Sequence, residues 1–158
     1  MSAPLADHDV LSPSPKERTM SDPSPQNHSI PLTTSVKGNV ITISGNGDWT
    51  LRAGAPAMEF QFTLADTSGA NVQFASLDTA DNISTCPPTG SGNQSGQVTG
   101  ITMNNNSPTK NARFNDNNNN PAVNGPMNVS YQWNFTCDST HTVQPFDPII
   151  SNGGKVSS

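Results

Sequence analysis

The stretch "MNVSYQWNFTC", residues 127–137, restricts the fold of this chain more than any other. Met127, Val129, Tyr131, Trp133, Phe135 and Cys137 alternate with Asn128, Ser130, Gln132, Asn134 and Thr136. A period of two puts the apolar side chains on one face of a β-strand and the polar ones on the other. Such a strand is half-buried, so its apolar face needs a second layer to cover it. "AMEFQFTLAD" repeats the pattern, with Met58, Phe60, Phe62 and Leu64 on the apolar face.

The remaining segments follow suit. "SVKGNVITISG" is rich in β-branched residues, "GNGD" is a turn signal, and Trp49 opens "WTLRAG" as the return strand of a hairpin. "VQFASLD" is a strand with a bend at Ala75–Ser76, "VTGITM" is a short strand, and another surrounds Ala112–Phe114. "VQPFDPIIS", residues 143–151, reads as the final strand. No segment shows a helical period. About seven or eight short alternating strands predict an all-β fold, an antiparallel two-sheet immunoglobulin-like β-sandwich, with an open barrel as the alternative. The likeness to immunoglobulins is architectural only, because Trp133 precedes Cys137 on one strand.

Residues 1–34 are Pro-rich without hydrophobic period and are expected to form a disordered N-terminal arm. The domain is then expected over 35–153, with 154–158 as a C-terminal tail. The Asn-rich run 104–126, apart from the short strand around Ala112–Phe114, is expected to supply loops, since Asn favours turns and the block cannot build a core.

Of the 158 residues only 31 % are hydrophobic and 12 % charged, and the net charge is -5. The seven basic residues are scattered, which argues against nucleic-acid binding. No apolar run approaches the roughly 20 residues of a membrane span. The first 20 residues hold no apolar h-region, so the expected location is cytoplasmic, or outside the cell by a non-Sec route. In that compartment Cys86 and Cys137 are expected as free thiols rather than a bridge. Any self-association is expected through exposed edge strands.

Candidate chemistry is sparse. His8 and His28 fall in the arm and His141 in a turn, four residues after Cys137. "NDNNNN", residues 115–120, offers oxygen atoms but lacks the charge density of a calcium loop. No metal and no cofactor are expected. Trp49, Tyr131 and Trp133 could stack on a sugar ring, though Tyr131 and Trp133 belong to an apolar ladder and are better core residues.

Asp147-Pro148 carries the most specific chemistry. The aspartate carboxylate can attack its own main-chain carbonyl, forming a cyclic anhydride that water then opens. Proline leaves well once its nitrogen is protonated. A second pair, Asp22-Pro23, lies in the arm, where nothing holds a reactive geometry. The face that Asp147 occupies depends on the pairing of 127–137 with 143–151. In one register Asp147 lies opposite Trp133, inside, with Tyr131 near enough to donate a proton; a slip of one residue puts Phe146 inside instead.

The aromatic alternating strand followed by "F-D-P-I-I-S-N" resembles the DP-EP family over roughly residues 35–153. The resemblance implies a small bacterial immunoglobulin-like sandwich with a self-cleaving, aspartic-type activity. Asp147 would be the nucleophile, Pro148 the leaving group and Tyr131 the proton donor, releasing residues 148–158. The other expectation is a non-catalytic binding or structural module whose Asp-Pro is strand-end punctuation, and a third is carbohydrate binding around Trp49.

Overall fold

The computed structural model describes residues 26–82, 86–120 and 126–154. Among these residues the chain forms ten strands and no helix: β1 (Gln26–Lys37), β2 (Val40–Ser44), β3 (Trp49–Leu51), β4 (Met58–Ala65), β5 (Gln73–Asp81), β6 (Val98–Asn104), β7 (Lys110–Asp116), β8 (Met127–Thr136), β9 (Thr142–Val143) and β10 (Ile149–Asn152). They make a six-stranded sheet in the order β6-β7-β4-β1-β2-β9 and a four-stranded sheet in the order β3-β10-β8-β5.

The two alternating strands face each other. Phe62 of β4 meets Trp133 of β8 at a ring-centroid distance of 5.5 Å, and Phe114 of β7 meets Tyr131 at 5.1 Å. Phe60, Phe62, Phe114, Tyr131 and Trp133 are all buried, as are Ile30, Leu32, Ile41, Leu64 and Ile150. One core therefore lies between the sheets, built from the inward residues of both. The bend expected at Ala75–Ser76 is a β-bulge: the pairing of β5 with β8 shifts between Phe74 and Ser76.

The sheets are mixed rather than purely antiparallel. β1 runs parallel to β4, β2 to β9 and β3 to β10. Parallel neighbours need a long crossover. Here the crossover is strand rather than helix, because the chain repeatedly leaves one sheet to lay a strand in the other.

Other expectations change as well. First, β1 begins at Gln26, so residues 26–34, assigned to the arm, are sheet. Ile30, Leu32 and Thr34 face inward. Pro31 is tolerated because its carbonyl side looks toward Gly45, just past the end of β2, where no ladder hydrogen bond is needed. The expected arm up to Pro25, including Asp22-Pro23, and the tail 155–158 lie outside the described residues.

Second, "GNGD" is not a hairpin turn. The hairpin closes at Gly38–Asn39, joining β1 to β2, while residues 45–48 carry the chain across to β3 in the other sheet. Third, the final strand is two strands. β9 pairs with β2 in the large sheet, and β10 pairs with β8 and β3 in the small one. Pro145 and Pro148 sit in the crossing between them, where the chain gives up regular pairing.

The Asn-rich run also behaves differently. Burial alternates without a break through Ala112, Phe114, Asp116, Asn118 and Asn120. The inward stripe of β7 thus continues past the strand end as polar side chains, and the core finishes in a buried polar layer.

Candidate functional site

Two crossings, residues 45–48 and 144–148, pass side by side between the sheets. Gly45, Asn46, Gly47, Asp48, Phe146, Asp147 and Pro148 line a cleft of about 220 Å³. Gly47 is what allows the close approach. A Cβ there would collide with Pro148, with the Tyr131 hydroxyl and with the Phe146 ring. We expect Gly47→Ala to cost at least about 1–3 kcal/mol in chemical denaturation, as an overpacked core does.

The register around the cleft is the one that buries Phe146. Trp133 pairs with Phe146, exchanging N–H···O bonds of 2.8 and 3.0 Å, and Ile149 pairs with Ser130. Phe146 is 7 % exposed, while the Asp147 side chain faces solvent and Pro148 is buried again. The alternative pairing, with Asp147 opposite Trp133, is not adopted. An apolar ring gains by burial what an unpaired carboxyl would lose, and the period of two then fixes Asp147 outside.

Tyr131 is fully buried and donates its hydroxyl hydrogen to the Gly47 carbonyl at 2.8 Å. Its backbone N–H donates to the Pro148 carbonyl at 3.2 Å. The same carbonyl accepts from the Cys86 thiol at 3.3 Å. Asp48 accepts the Ile149 N–H at 2.9 Å, anchoring the start of β10. Burial pushes the Tyr131 phenol well above its ordinary range, and the Asp48 carboxylate and Cys86 add to the effect. Burial likewise pushes the Cys86 thiol up to about 11, reinforced by Asp147 and Asp48. Both groups therefore keep their protons at neutral pH, and both are weak acids for proton transfer there.

The structure thus places Asp147 and Pro148 on the cleft and the buried Tyr131 hydroxyl behind Gly47, with the hydrogens aimed elsewhere. The Tyr131 hydrogen points to Gly47 and the Cys86 hydrogen to the carbonyl after the Asp-Pro bond. Among the described residues no hydrogen bond reaches the Asp147 carbonyl, the atom on which charge would develop in an anhydride mechanism. Asp48, Gly47 and Cys86 belong to this site and escaped the sequence reading. Asp48 and Gly47 lay in a segment read as a hairpin turn, and Cys86 in a Pro- and Gly-rich loop with no partner at metal spacing. Their only signal is spatial.

The other candidates resolve simply. Cys86 and Cys137 are free thiols. Cys137 donates to the His141 carbonyl at 3.2 Å rather than to its ring, and the ring meets Asp138 at 2.8 Å in the turn. Tyr131 and Trp133 are core residues, so neither presents a platform to a sugar. Trp49 remains 37 % exposed, but one face of its ring is stacked on His28 at 3.7 Å.

No protein-family model matches the sequence, and no curated protein matches it.

Proposed function

We propose that this chain is a non-catalytic, immunoglobulin-like β-sandwich module in which Asp147-Pro148 is a joint between the sheets. The observation that carries this reading is how the cleft's proton donors are used. Tyr131 and Cys86 hold the Gly47 and Pro148 carbonyls, and so tie the two crossings together, while Asp147 projects into water. Pro148 suits such a joint, since it supplies a buried apolar ring and needs no hydrogen-bond partner for a backbone N–H.

A second reading keeps the self-cleavage implied by the DP-EP resemblance. It draws support from two carboxylates, Asp48 and Asp147, that line one cleft together with Pro148. For it to run, Tyr131 must leave Gly47 to protonate the Pro148 nitrogen, breaking a buried hydrogen bond that costs about 1–3 kcal/mol to leave unmade.

Intact-mass spectrometry of the purified protein, held for days between pH 4 and 8, separates the two. The module reading expects an uncut chain at every pH. Appearance of the 148–158 peptide from wild type but not from Asp147→Ala would replace it with self-cleavage.

A further inference from the structure

The sequence holds three Asn-Gly pairs, Asn46-Gly47, Asn124-Gly125 and Asn152-Gly153. The second lies outside the described residues, and the fold treats the other two in opposite ways.

An Asn-Gly pair carries its own nucleophile. The glycine backbone nitrogen gives up its proton and attacks the asparagine side-chain carbonyl carbon. A C–N bond forms to close a five-membered succinimide, and the side-chain nitrogen leaves as ammonia. Water then opens the ring. Attack at the side-chain carbonyl leaves aspartate. Attack at the main-chain carbonyl leaves isoaspartate, with the chain running through the former side chain. Water is the only co-reactant, and the reacting atoms are already tethered to one another. Glycine favours closure because no Cβ obstructs the approach and its backbone is permissive. Three conditions then set the rate: an asparagine side chain free to turn, a glycine N–H free of hydrogen bonds, and access to water.

Asn46-Gly47 meets all three. Asn46 is exposed and lines the cleft of about 220 Å³. Among the described residues neither its side chain nor the Gly47 N–H makes a hydrogen bond. Gly47 is held from its other side, through the Tyr131 bond to its carbonyl and the crowding of its Cα by Pro148 and Phe146. The nitrogen therefore stays in place, and only the Asn46 side chain has to move, through an open cleft.

Asn152-Gly153 meets none. Asn152 is 0 % exposed, and its Nδ2 donates to Asp116 Oδ1 at 2.6 Å. The Gly153 N–H donates to the Leu51 carbonyl at 2.8 Å, and the Arg52–Ala53 backbone closes over its Cα. Asn152 is also paired in β10 with Leu51 and Met127. Reaction there requires local opening of the small sheet.

We propose that Asn46 is a self-modification site, at which the chain converts its own asparagine to aspartate and isoaspartate through a succinimide closed by Gly47. The product puts a further carboxylate into the cleft that already holds Asp48 and Asp147. The chemistry leaves the Asp147-Pro148 bond whole, so its mass shift is distinct from release of residues 148–158.

The test is peptide mapping by mass spectrometry of the full chain held at pH 8, in native buffer and in urea, with isoaspartate located by electron-transfer fragmentation. The expected result in native buffer is an amide-to-acid mass shift at Asn46, isoaspartate included. It should run at least about tenfold faster than at Asn152, a factor that a local opening free energy of only about 1.4 kcal/mol supplies. In urea the Asn152 rate should rise toward that of Asn46, because the two dipeptides then differ little in surroundings. Asn46→Gln, which enlarges the ring that must close, should lose the shift at this position. Equal rates at Asn46 and Asn152 in native buffer, or no conversion at Asn46 over a period in which the urea-unfolded chain converts, would overturn the proposal.

Discussion

Phe146→Ala is expected to destabilise the protein by about 3–5 kcal/mol, and Asp147→Ala by no more than about 0.5 kcal/mol. The two residues are neighbours in sequence, yet opposite in place. Phe146 is buried against Tyr131 and Phe62, with ring centroids 6.4 Å away in each case, and packs onto Gly47. Removing its ring leaves a cavity among groups that are themselves anchored by hydrogen bonds, so little can collapse into it. Asp147 faces water and its side chain makes no hydrogen bond among the described residues. Urea denaturation of both variants, compared at equal m-value, measures the contrast. A larger loss for Asp147→Ala than for Phe146→Ala would mean that the strands pair in the other register.

The second large effect is a pH dependence carried by Asp116. Its pKa is raised to about 6 in the folded protein from an ordinary value of 3.8, chiefly by burial. Between these values the native state binds more protons than the unfolded state, so stability falls as pH rises. The contribution is fully present below about pH 4 and is lost as pH passes through about 6. Two units correspond to roughly 3 kcal/mol at most. His28 works in the opposite sense over part of the same window, because burial lowers its pKa and disfavours its charged form. Asp66, held low by bonds from Ser68 and Val72 and by Lys110, acts only at lower pH. The reading that isolates Asp116 is therefore a difference. Wild type minus Asp116→Asn should decline by about 2 kcal/mol between pH 4 and 7. A flat difference would mean that Asp116 is solvated or paired in solution.

How far the sequence revealed these features depended on what each segment packs against. Strands with one face on the core and one in water declare themselves, and Met58–Ala65 and Met127–Thr136 did so through side-chain alternation alone. Even the bulge near Ser76 was legible, because Phe74 and Leu77 break the period by one residue. β1 was not, since His28, Ser29 and Pro31 surround its two inward aliphatic residues, Ile30 and Leu32, with turn-like composition. Its place in the sheet comes from eight paired positions with β4, a partner some thirty residues away. The crossings were hidden for a related reason. A glycine- and aspartate-bearing segment is equally suited to a hairpin and to a passage between sheets, and only the tertiary neighbours of Gly47 decide.

The Asn-rich run shows the opposite failure, in which composition concealed a pattern. Ala112, Phe114, Asp116, Asn118 and Asn120 keep the period of two through the change from apolar to polar. Asn118 is fully employed inside, donating to the Arg52 and Ala55 carbonyls and accepting from Gly154. Its burial follows from the requirement that buried polar groups be bonded, a rule that hydrophobicity patterns do not encode.

The central claim is that Phe146, and not Asp147, occupies the inward position opposite Trp133, and residue-resolved amide hydrogen exchange tests it most directly. The Phe146 N–H is bonded to the Trp133 carbonyl, while the Asp147 N–H has no partner among the described residues. The account predicts strong protection of the Phe146 and Trp133 amides and rapid exchange at Asp147. Protection at Asp147 with rapid exchange at Phe146 would contradict it, and would turn the Asp147 carboxyl toward Tyr131 and the core.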